Sequence, residues 1–282
     1  MQPKQIALVT GTTSGIGMLT VIKLAIEGCK VFAGMRDLSR NKQLEELAIH
    51  HNVQANIDYV TLDVTNEDHI ESTIEYIIEQ HGRIDILVNN AGVCIGGFTE
   101  EVLEEDWRVS METNFFGTLK LTRAVQPYMR EAGSGKIINI SSISGRFGFP
   151  AHGPYTASKF AIEGFSESLR LEMLPFGVHV VLVEPGAFNT NIWSKNFEHM
   201  KLRTKENSPY EKLLMNVLQF SNKLVTGASD PWELAAKITR ITQLRHPKIR
   251  YTLGKGAFLA VWGKAIVPWK WLEKAIVKQM CK

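Results

Sequence analysis

The chain has 282 residues, 44% of them hydrophobic, and a formal net charge of +3, which suits one α/β domain with a sizeable core and does not favour nucleic-acid binding. Its three cysteines, Cys29, Cys94 and Cys281, are scattered, and neither a CxxC nor an HExxH motif occurs, so we expect a reducing compartment and no metal site. Because MQPKQIALVTG enters a strand directly and no uninterrupted apolar run reaches about 18 residues, we predict a cytoplasmic protein without a signal peptide or transmembrane helix.

Strand-like and helix-like segments alternate along the chain. Residues 70–80 and 107–129, for example, show helical patterns. Seven short apolar runs resemble the buried strands of a parallel sheet, at 6–9, 30–34, 57–62, 84–88, 136–140, 178–183 and 249–253. The alternation predicts a three-layer, doubly wound parallel α/β sheet of Rossmann type, in a single domain of residues 1–254.

The first strand leads into TGTTSGIG, residues 10–17, and then into a helix. Glycine permits a tight turn there and lets backbone N–H groups approach a pyrophosphate at the helix N-terminus. The spacing is GxxxGxG and not GxGxxG, but its position after a first strand favours a dinucleotide site.

The second strand is followed by Arg36, where an NAD site usually carries an acidic residue that binds the ribose hydroxyls. A guanidinium can bind a 2′-phosphate that a carboxylate would repel. The sequence therefore favours NADP(H) over NAD. Arg40 is a second candidate for this contact, and a solvated loop charge is the alternative interpretation of Arg36.

Polar residues follow the next strands at the carboxyl ends, where an open α/β sheet binds ligands. Asp63 follows the third strand, NNAG at 89–92 follows the fourth, and Ser142, with Ser141 beside it, follows the fifth. Short polar residues also simply end strands and begin turns. Asn114 lies within a helix, where its amide needs a hydrogen-bond partner.

Tyr155 and Lys159 are four residues apart in a segment of helical periodicity, so their side chains share one helix face. A neighbouring ammonium can lower a phenol pKa by roughly 1–3 units, toward the range for proton exchange with a substrate oxygen. The isolated Tyr-x-x-x-Lys pair is common by chance, and an amphipathic helix with a solvated lysine is the alternative. The functional interpretation of the pair therefore depends on the other motifs of the chain.

Together these motifs resemble those of the short-chain dehydrogenase/reductase family. The similar segments are TGTTSGIG, NNAG, SSISG, YTASK and PGAFNT, in the family's order between about residues 5 and 192. The stretch from YTASK to VEPG is most similar to the 17-beta-hydroxysteroid and retinol dehydrogenase branch. The resemblance implies an enzyme that acts on CH–OH donors with NAD(P), assembled as a homodimer or homotetramer.

The resemblance also implies roles for individual residues. Tyr155 would be the general acid in reduction and the base in oxidation, and Lys159 would lower its pKa and bind the nicotinamide ribose. Ser142 would form a hydrogen bond with the substrate oxygen, and Asn114 would hold a water that links Lys159 to solvent. The implied cofactor-binding residues are Gly11, Thr13, Ser14, Gly15, Ile16, Gly17, Arg36, Asp63, Val64, Asn90, Ala91, Gly92, Tyr155, Lys159, Pro185, Gly186, Phe188 and Thr190.

The resemblance weakens beyond about residue 193. Residues 191–207 break the periodicity, and we predict a mobile substrate lid there, within an insert at 191–230. Two capping boxes, SPYE at 208–211 and DPWE at 230–233, each predict a helix with proline at its first position. We expect His152 and Cys94 to border the pocket, with a solvated histidine and a small buried cysteine as alternatives.

The C-terminal extension, 255–282, ends in a helix predicted to start at Pro268. Its lysines recur every fourth residue from 270 to 282, and Trp269, Leu272 and Ile276 form an apolar side. A basic amphipathic helix with interfacial tryptophan favours peripheral membrane contact through 268–282. A helix that covers the pocket or contacts a second subunit is the alternative.

The sequence thus predicts an NADP(H)-dependent oxidoreductase that interconverts a carbonyl and an alcohol. Phe188, Trp193 and Phe197 favour a hydrophobic substrate of steroid, retinoid or acyl type. A 3-oxoacyl thioester reductase is one alternative. A non-catalytic nucleotide-sensing protein is an alternative of another class, and the complete Asn-Ser-Tyr-Lys set argues against it.

Overall fold

One parallel sheet runs through the protein. In a computed structural model, which describes residues 5–190 and 192–280, the sheet has the strand order β3-β2-β1-β4-β5-β6-β7, and every neighbouring pair is parallel. The strands are β1 (Ile6–Thr10), β2 (Lys30–Met35), β3 (Ile57–Thr61), β4 (Ile86–Asn89), β5 (Gly135–Ile140), β6 (Val178–Pro185) and β7 (Arg250–Leu253). All seven predicted strands are confirmed.

Helices connect the strands and cover both faces of the sheet. They are α1 (Gly15–Ile26), α2 (Lys42–His50), α3 (Glu67–His81), α4 (Glu104–Met111), α5 (Gly117–Glu131), α6 (Gly153–Met173), α7 (Ile192–Arg203), α8 (Glu211–Thr226), α9 (Pro231–Gln243), α10 (Ala257–Ile266) and α11 (Trp269–Met280). A π-helical turn, Glu112–Phe116, joins α4 to α5, so the helical pattern predicted over 107–129 is one continuous stretch.

The side chains of β1 alternate between the two outer layers. Ala7 and Val9 pack in one core with residues of α1, α2 and α9, whereas Ile6 and Leu8 pack in a second core with residues of α3, α5 and α6. Because both faces of the strand are buried, its sequence is apolar throughout. The predicted three-layer, doubly wound fold is confirmed.

The strand order reverses between β1 and β4, which are neighbours in the sheet although two strands separate them in the chain. The connections that leave β1 and β4 therefore run to opposite sides of the sheet. A crevice opens between them at the carboxyl ends of the strands, and this is where such folds bind dinucleotides.

Most of the irregular segment 191–207 is helical, because Ile192–Arg203 forms the helix α7, and the mobile substrate lid within 191–230 stays a prediction. Its inward positions include Asn196 as well as Met200, both fully buried, and the polar residue interrupts the apolar period. Met200 joins a small apolar cluster with residues of α8. The SPYE box is also wrong in detail: Ser208 accepts a hydrogen bond from the Tyr210 N–H, and α8 begins at Glu211.

The DPWE box starts α9 as the sequence predicts, with the Asp230 carboxylate accepting from the Trp232 N–H at 2.8 Å. After β7, the chain forms α10 and α11. Leu272 and Ile276 of α11 are half-buried, and Ile276 packs on the cluster of α8. The last lysine of the predicted stripe, Lys282, lies outside the described residues. None of the described helices combines the length and the apolarity that crossing a membrane would require.

Candidate active site

Two adjoining clefts open at the carboxyl end of the sheet. The polar cleft, about 420 Å³, has Gly15, Arg36 and Asp63 among its wall residues. The apolar cleft, about 370 Å³, has Tyr155 and Phe188 in its wall. The two clefts form one continuous groove, because both are lined by Ile16, Asn90, Gly92, Cys94, Thr190 and Ile192.

The turn between β1 and α1 forms part of the polar cleft. Gly11 and Gly15 have φ angles of +68° and +61°, which residues with a Cβ disfavour. A Cβ on Gly11 would also lie 2.8 Å from the Ala91 Cα. Within the described chain Ser14 makes no side-chain capping bond, so the first N–H groups of α1 are available to an anion. The other residues of this turn that line the cleft are Thr13 and Ile16.

Gly17, predicted as a cofactor-binding residue, lies beneath the turn and lines neither cleft. A Cβ at this position would lie 2.4 Å from Asn90 Nδ2. That nitrogen donates hydrogen bonds to the carbonyls of Thr10 and Gly11, at 2.8 and 3.1 Å. The Thr10 hydroxyl in turn accepts from the backbone N–H groups of Asn90 and Ala91. Asn90 therefore braces the glycine turn, and only glycine at position 17 leaves room for it.

Arg36 and Arg40 lie at the outer end of the polar cleft, and both are exposed. Neither guanidinium forms an ion pair with a carboxylate of the described residues. The adjacent Asp37 accepts hydrogen bonds from the Ser39 hydroxyl and N–H at 2.7 and 3.0 Å, and these bonds lower the pKa of its carboxyl. This end of the cleft thus offers two cations and one carboxylate that is already bonded, which suits a phosphate better than a pair of hydroxyls.

The remaining predicted cofactor residues lie in the walls of the groove. In the polar cleft they are Asp63, Val64, Ala91 and Gly92, and in the apolar cleft Pro185, Gly186, Phe188 and Thr190. Among the described residues, no cluster of three or more histidines, cysteines or carboxylates could hold a metal ion.

Ser142, Tyr155 and Lys159 meet in the apolar cleft. Ser142 follows β5, and its hydroxyl accepts from the Ser144 N–H at 3.0 Å. Tyr155 and Lys159 project from the same side of α6, with Lys159 Nζ 5.6 Å from the centre of the tyrosine ring. The structure therefore brings the three predicted side chains together, from two separate elements.

The electrostatics of Tyr155 differ from the prediction. Burial raises the pKa of Tyr155 above its ordinary value, the nearby Cys94 adds to the rise, and a hydrogen bond with Ser142 opposes it. Burial also lowers the pKa of Lys159 to about 8. The predicted lowering of the Tyr155 pKa is thus wrong for the protein without bound ligands. The free-energy cost of burying a phenolate exceeds the stabilisation that the Ser142 hydrogen bond gives it. Tyr155 is a neutral phenol at neutral pH.

Asn114 is buried in the π-helical turn and lines neither of the two clefts. Its Oδ1 accepts from the Val93 N–H at 2.8 Å, and its Nδ2 donates to the Val93 carbonyl and the Ser158 hydroxyl at 2.9 and 2.8 Å. The amide thereby ties the loop after β4 to α6, next to Lys159. The water-holding role stays a prediction.

His152 and Cys94 both line the apolar cleft, as predicted. His152 is buried: its Nδ1 lies 3.0 Å from the Pro150 carbonyl and its Nε2 lies 3.2 Å from Asn196 Nδ2. This pairing makes Nδ1 the donor, and burial lowers the histidine pKa, so the ring is neutral. Burial raises the pKa of the Cys94 thiol to about 12, so it is not a nucleophile at neutral pH.

Sequence reasoning missed the outer wall of the apolar cleft. That wall comes from three segments of the chain, with Phe149 before α6, Val217, Phe220 and Leu224 on α8, and Ala257 and Ala260 on α10. The buried residues of α8 recur at helical spacing, but no local feature of the sequence shows that this face covers a cavity.

The model of the family described as short chain dehydrogenase matches residues 5–201. The uncharacterized oxidoreductase YusZ of Bacillus subtilis is 42% identical over 278 residues, covering 98% of this chain and 99% of its own. The 3-ketodihydrosphingosine reductase of Bacteroides thetaiotaomicron is 40% identical and covers 90% and 89%. Human 17-beta-hydroxysteroid dehydrogenase type 1 is 32% identical and covers 88% and 77%.

Solved structures show the same architecture. A short-chain dehydrogenase from Streptomyces avermitilis superposes with a TM-score of 0.80 at 32% identity, covering 94% of this chain and 93% of its own. The closed form of a serine dehydrogenase complexed with NADP+ superposes with a TM-score of 0.76 at 28% identity, covering 89% and 94%.

Proposed function

The chain belongs to the short-chain dehydrogenase family, and from that premise we propose that this oxidoreductase interconverts a carbonyl and an alcohol on a hydrophobic substrate, with NADP(H) as cofactor and Tyr155 as general acid and base. The observation that carries the proposal is the continuous groove. It joins a glycine turn at one end to Ser142, Tyr155 and Lys159 at the other, and the walls change from polar to apolar along it.

The residues of the polar cleft fit NADP(H). The N-terminus of α1 and the open glycine turn would hold the pyrophosphate, and Arg36 with Arg40 would hold the 2′-phosphate. Asp63 and Val64 would border the adenine, and Lys159 and the segment after β6 would border the nicotinamide end. When bound, the cofactor supplies or accepts the hydride. The serine dehydrogenase complexed with NADP+ supports this choice.

The catalytic side chains act on the substrate oxygen. In reduction, the neutral Tyr155 hydroxyl gives its proton to the oxygen as negative charge develops there, and the Ser142 hydroxyl stabilises that charge. The Lys159 ammonium stabilises the phenolate that forms. The raised Tyr155 pKa keeps the proton on the phenol before reaction, which favours the role of proton donor.

The apolar walls of the second cleft support a substrate with a long or bulky hydrocarbon part. The relative that reduces 3-ketodihydrosphingosine supports a long-chain ketone in particular. A reductase of 3-oxoacyl thioesters is a second candidate, because a 3-oxoacyl-[acyl-carrier-protein] reductase of Thermotoga maritima is 34% identical over 191 residues. We further propose a homodimer or homotetramer in the cytoplasm with peripheral membrane contact through 268–282. Leu171 and Phe160, 75% and 43% exposed on α6, support a contact between copies.

The test is a turnover assay that follows NADPH consumption with a long-chain 3-keto amphiphile, a steroid ketone, retinal and an acetoacetyl thioester. We expect the long-chain ketone to give the highest kcat/KM. Highest turnover with the thioester would assign the second candidate. NADPH binding without turnover on any carbonyl would overturn the enzymatic proposal and favour a nucleotide sensor.

A further inference from the structure

The helix α10 carries a row of large apolar side chains on the side that faces away from the protein. Phe258 is 64% exposed, Leu259 69%, Trp262 57% and Ile266 59%. Single exposed apolar residues are ordinary, but four within ten residues form a contiguous strip. A contiguous exposed apolar surface of this kind is typical of a site that binds another apolar surface.

The opposite side of α10 is fixed to the protein. Ala257 and Ala260 line the apolar cleft. The Lys264 ammonium lies 5.3 Å and 5.4 Å from the ring centres of Phe147 and Phe160, and it also bonds the Arg146 carbonyl. The helix is therefore held in one orientation, with its large side chains outward, and it separates the apolar cleft from solvent.

The next helix in the chain, α11, carries further exposed apolar side chains and adds charge. Trp269, Trp271 and Val277 are 54%, 70% and 50% exposed. The exposed lysines of α11 alternate with these residues, at positions 270, 274 and 278. Residues 255–280 contain five lysines and one glutamate, so the whole extension is basic. We name the seven exposed apolar residues of α10 and α11 the apolar strip.

We propose that the apolar strip and its lysines dock the enzyme on an anionic lipid bilayer, and that the apolar cleft takes its amphiphilic substrate from that bilayer. Tryptophan side chains favour the headgroup region, and lysines beside them pair with lipid phosphates. The charge argues for lipid and against a second copy of this chain, since two copies would bring like charges together. The statement about the substrate rests on the proposed enzymatic function, whereas the docking extends the proposed membrane contact of 268–282 to α10 and does not depend on that enzymatic activity.

The mouth of the apolar cleft fits this orientation. Ile192 and Leu224 line the cleft and are 37% and 41% exposed, so part of its rim is apolar. In α10, Ala260 lines the cleft while the adjacent Leu259 belongs to the apolar strip. A hydrocarbon chain could therefore pass from the bilayer into the cleft with little contact with water, which lowers the cost of transfer.

Docking is tested by sedimentation of the full chain with phosphatidylcholine vesicles, with and without phosphatidylglycerol, in the absence of substrate and cofactor. We expect binding to the anionic vesicles and a loss of about tenfold or more in the variant Leu259→Ser/Trp262→Ser. The control Ile26→Ser/Ile49→Ser changes exposed apolar residues elsewhere and should bind like the wild type. Equal binding by the two variants, or none by the wild type, would overturn the proposal.

Charge reversal tests the lysines. The variant Lys270→Glu/Lys274→Glu/Lys278→Glu should lose anionic-vesicle binding, whereas Lys42→Glu/Lys237→Glu/Lys248→Glu, with the same change of net charge, should keep it. A strip that pairs two copies would instead show as a dimer that Leu259→Ser/Trp262→Ser converts to a monomer, and this result would contradict lipid docking.

Delivery of substrate is tested by turnover. In Leu259→Ser/Trp262→Ser, the KM for a long-chain ketone dissolved in vesicles should rise by about tenfold, while the KM for a short water-soluble ketone stays unchanged. A variant whose KM for the ketone in vesicles stays at the wild-type value, or rises no more than its KM for the soluble ketone, would overturn delivery from the bilayer. Vesicle binding without any turnover would instead defeat the proposed function and leave the docking intact.

Discussion

Lys159 Nζ donates a hydrogen bond to the Ile140 carbonyl at 2.8 Å, so this buried ammonium is fixed to the end of β5 as well as to α6. The backbone carbonyl replaces part of the hydration that the buried ammonium has lost. Because β5 also leads directly to Ser142, this bond couples the positions of the two side chains across the groove.

Tyr155→Phe removes the proton donor and leaves the ring in place. We expect turnover to fall by roughly 10²–10⁴-fold, the usual contribution of a general acid, with NADPH affinity little changed. Steady-state kinetics and a fluorescence titration with NADPH measure the two effects. Wild-type turnover in this variant would disprove the role given to Tyr155.

The pH profile of reduction should report Lys159, whose pKa burial lowers to about 8. The ammonium is present below that pH and is lost as the pH rises through it. We therefore expect kcat/KM for reduction to decline above about pH 8. Lys159→Arg, which keeps its charge across this range, should retain less activity but lack the decline. A wild-type profile that stays flat to pH 10 would rule out this assignment.

Arg36→Glu should reverse the cofactor preference, because a carboxylate at the end of β2 repels a 2′-phosphate and can accept from ribose hydroxyls. The ratio of kcat/KM for NADPH to that for NADH measures the change. Lys42→Glu makes the same charge change nearby at a residue outside the polar cleft, and it should leave the ratio near the wild-type value. Similar changes of this ratio in both variants would show that long-range electrostatics, and not a direct contact of Arg36 with the 2′-phosphate, sets the preference.

Arg250 holds two buried carboxylates, with its guanidinium 3.0 Å from Glu163 and 3.1 Å from Glu184. Arg250→Met leaves these groups underpaired, and we expect a loss of about 3–5 kcal/mol in the free energy of unfolding. Arg108→Met breaks an exposed pair with Glu104 and should cost less than about 1 kcal/mol. Denaturant unfolding measures the free energy of unfolding of both variants. Equal losses would show that the buried ion pairs of Arg250 with Glu163 and Glu184 stabilise the protein no more than the exposed pair does.

The sequence by itself determined the sheet, the glycine turn and the Tyr155–Lys159 pair. Each of these depends on local spacing: strands buried on both faces are apolar throughout, a tight turn needs glycine, and a four-residue interval aligns two side chains on a helix. The sequence also predicted the basic amphipathic helix with tryptophan in the extension 255–282.

Only the tertiary structure decided the rest. It made α7 a helix although Asn196 occupies an inward position, because His152 supplies that amide with a partner from a distant segment. It placed α8 and α10 over the apolar cleft and turned Phe258 and Trp262 outward. It also reversed the expected shift of the Tyr155 pKa, because desolvation depends on everything that surrounds a group, whereas sequence spacing shows only its neighbours along one helix.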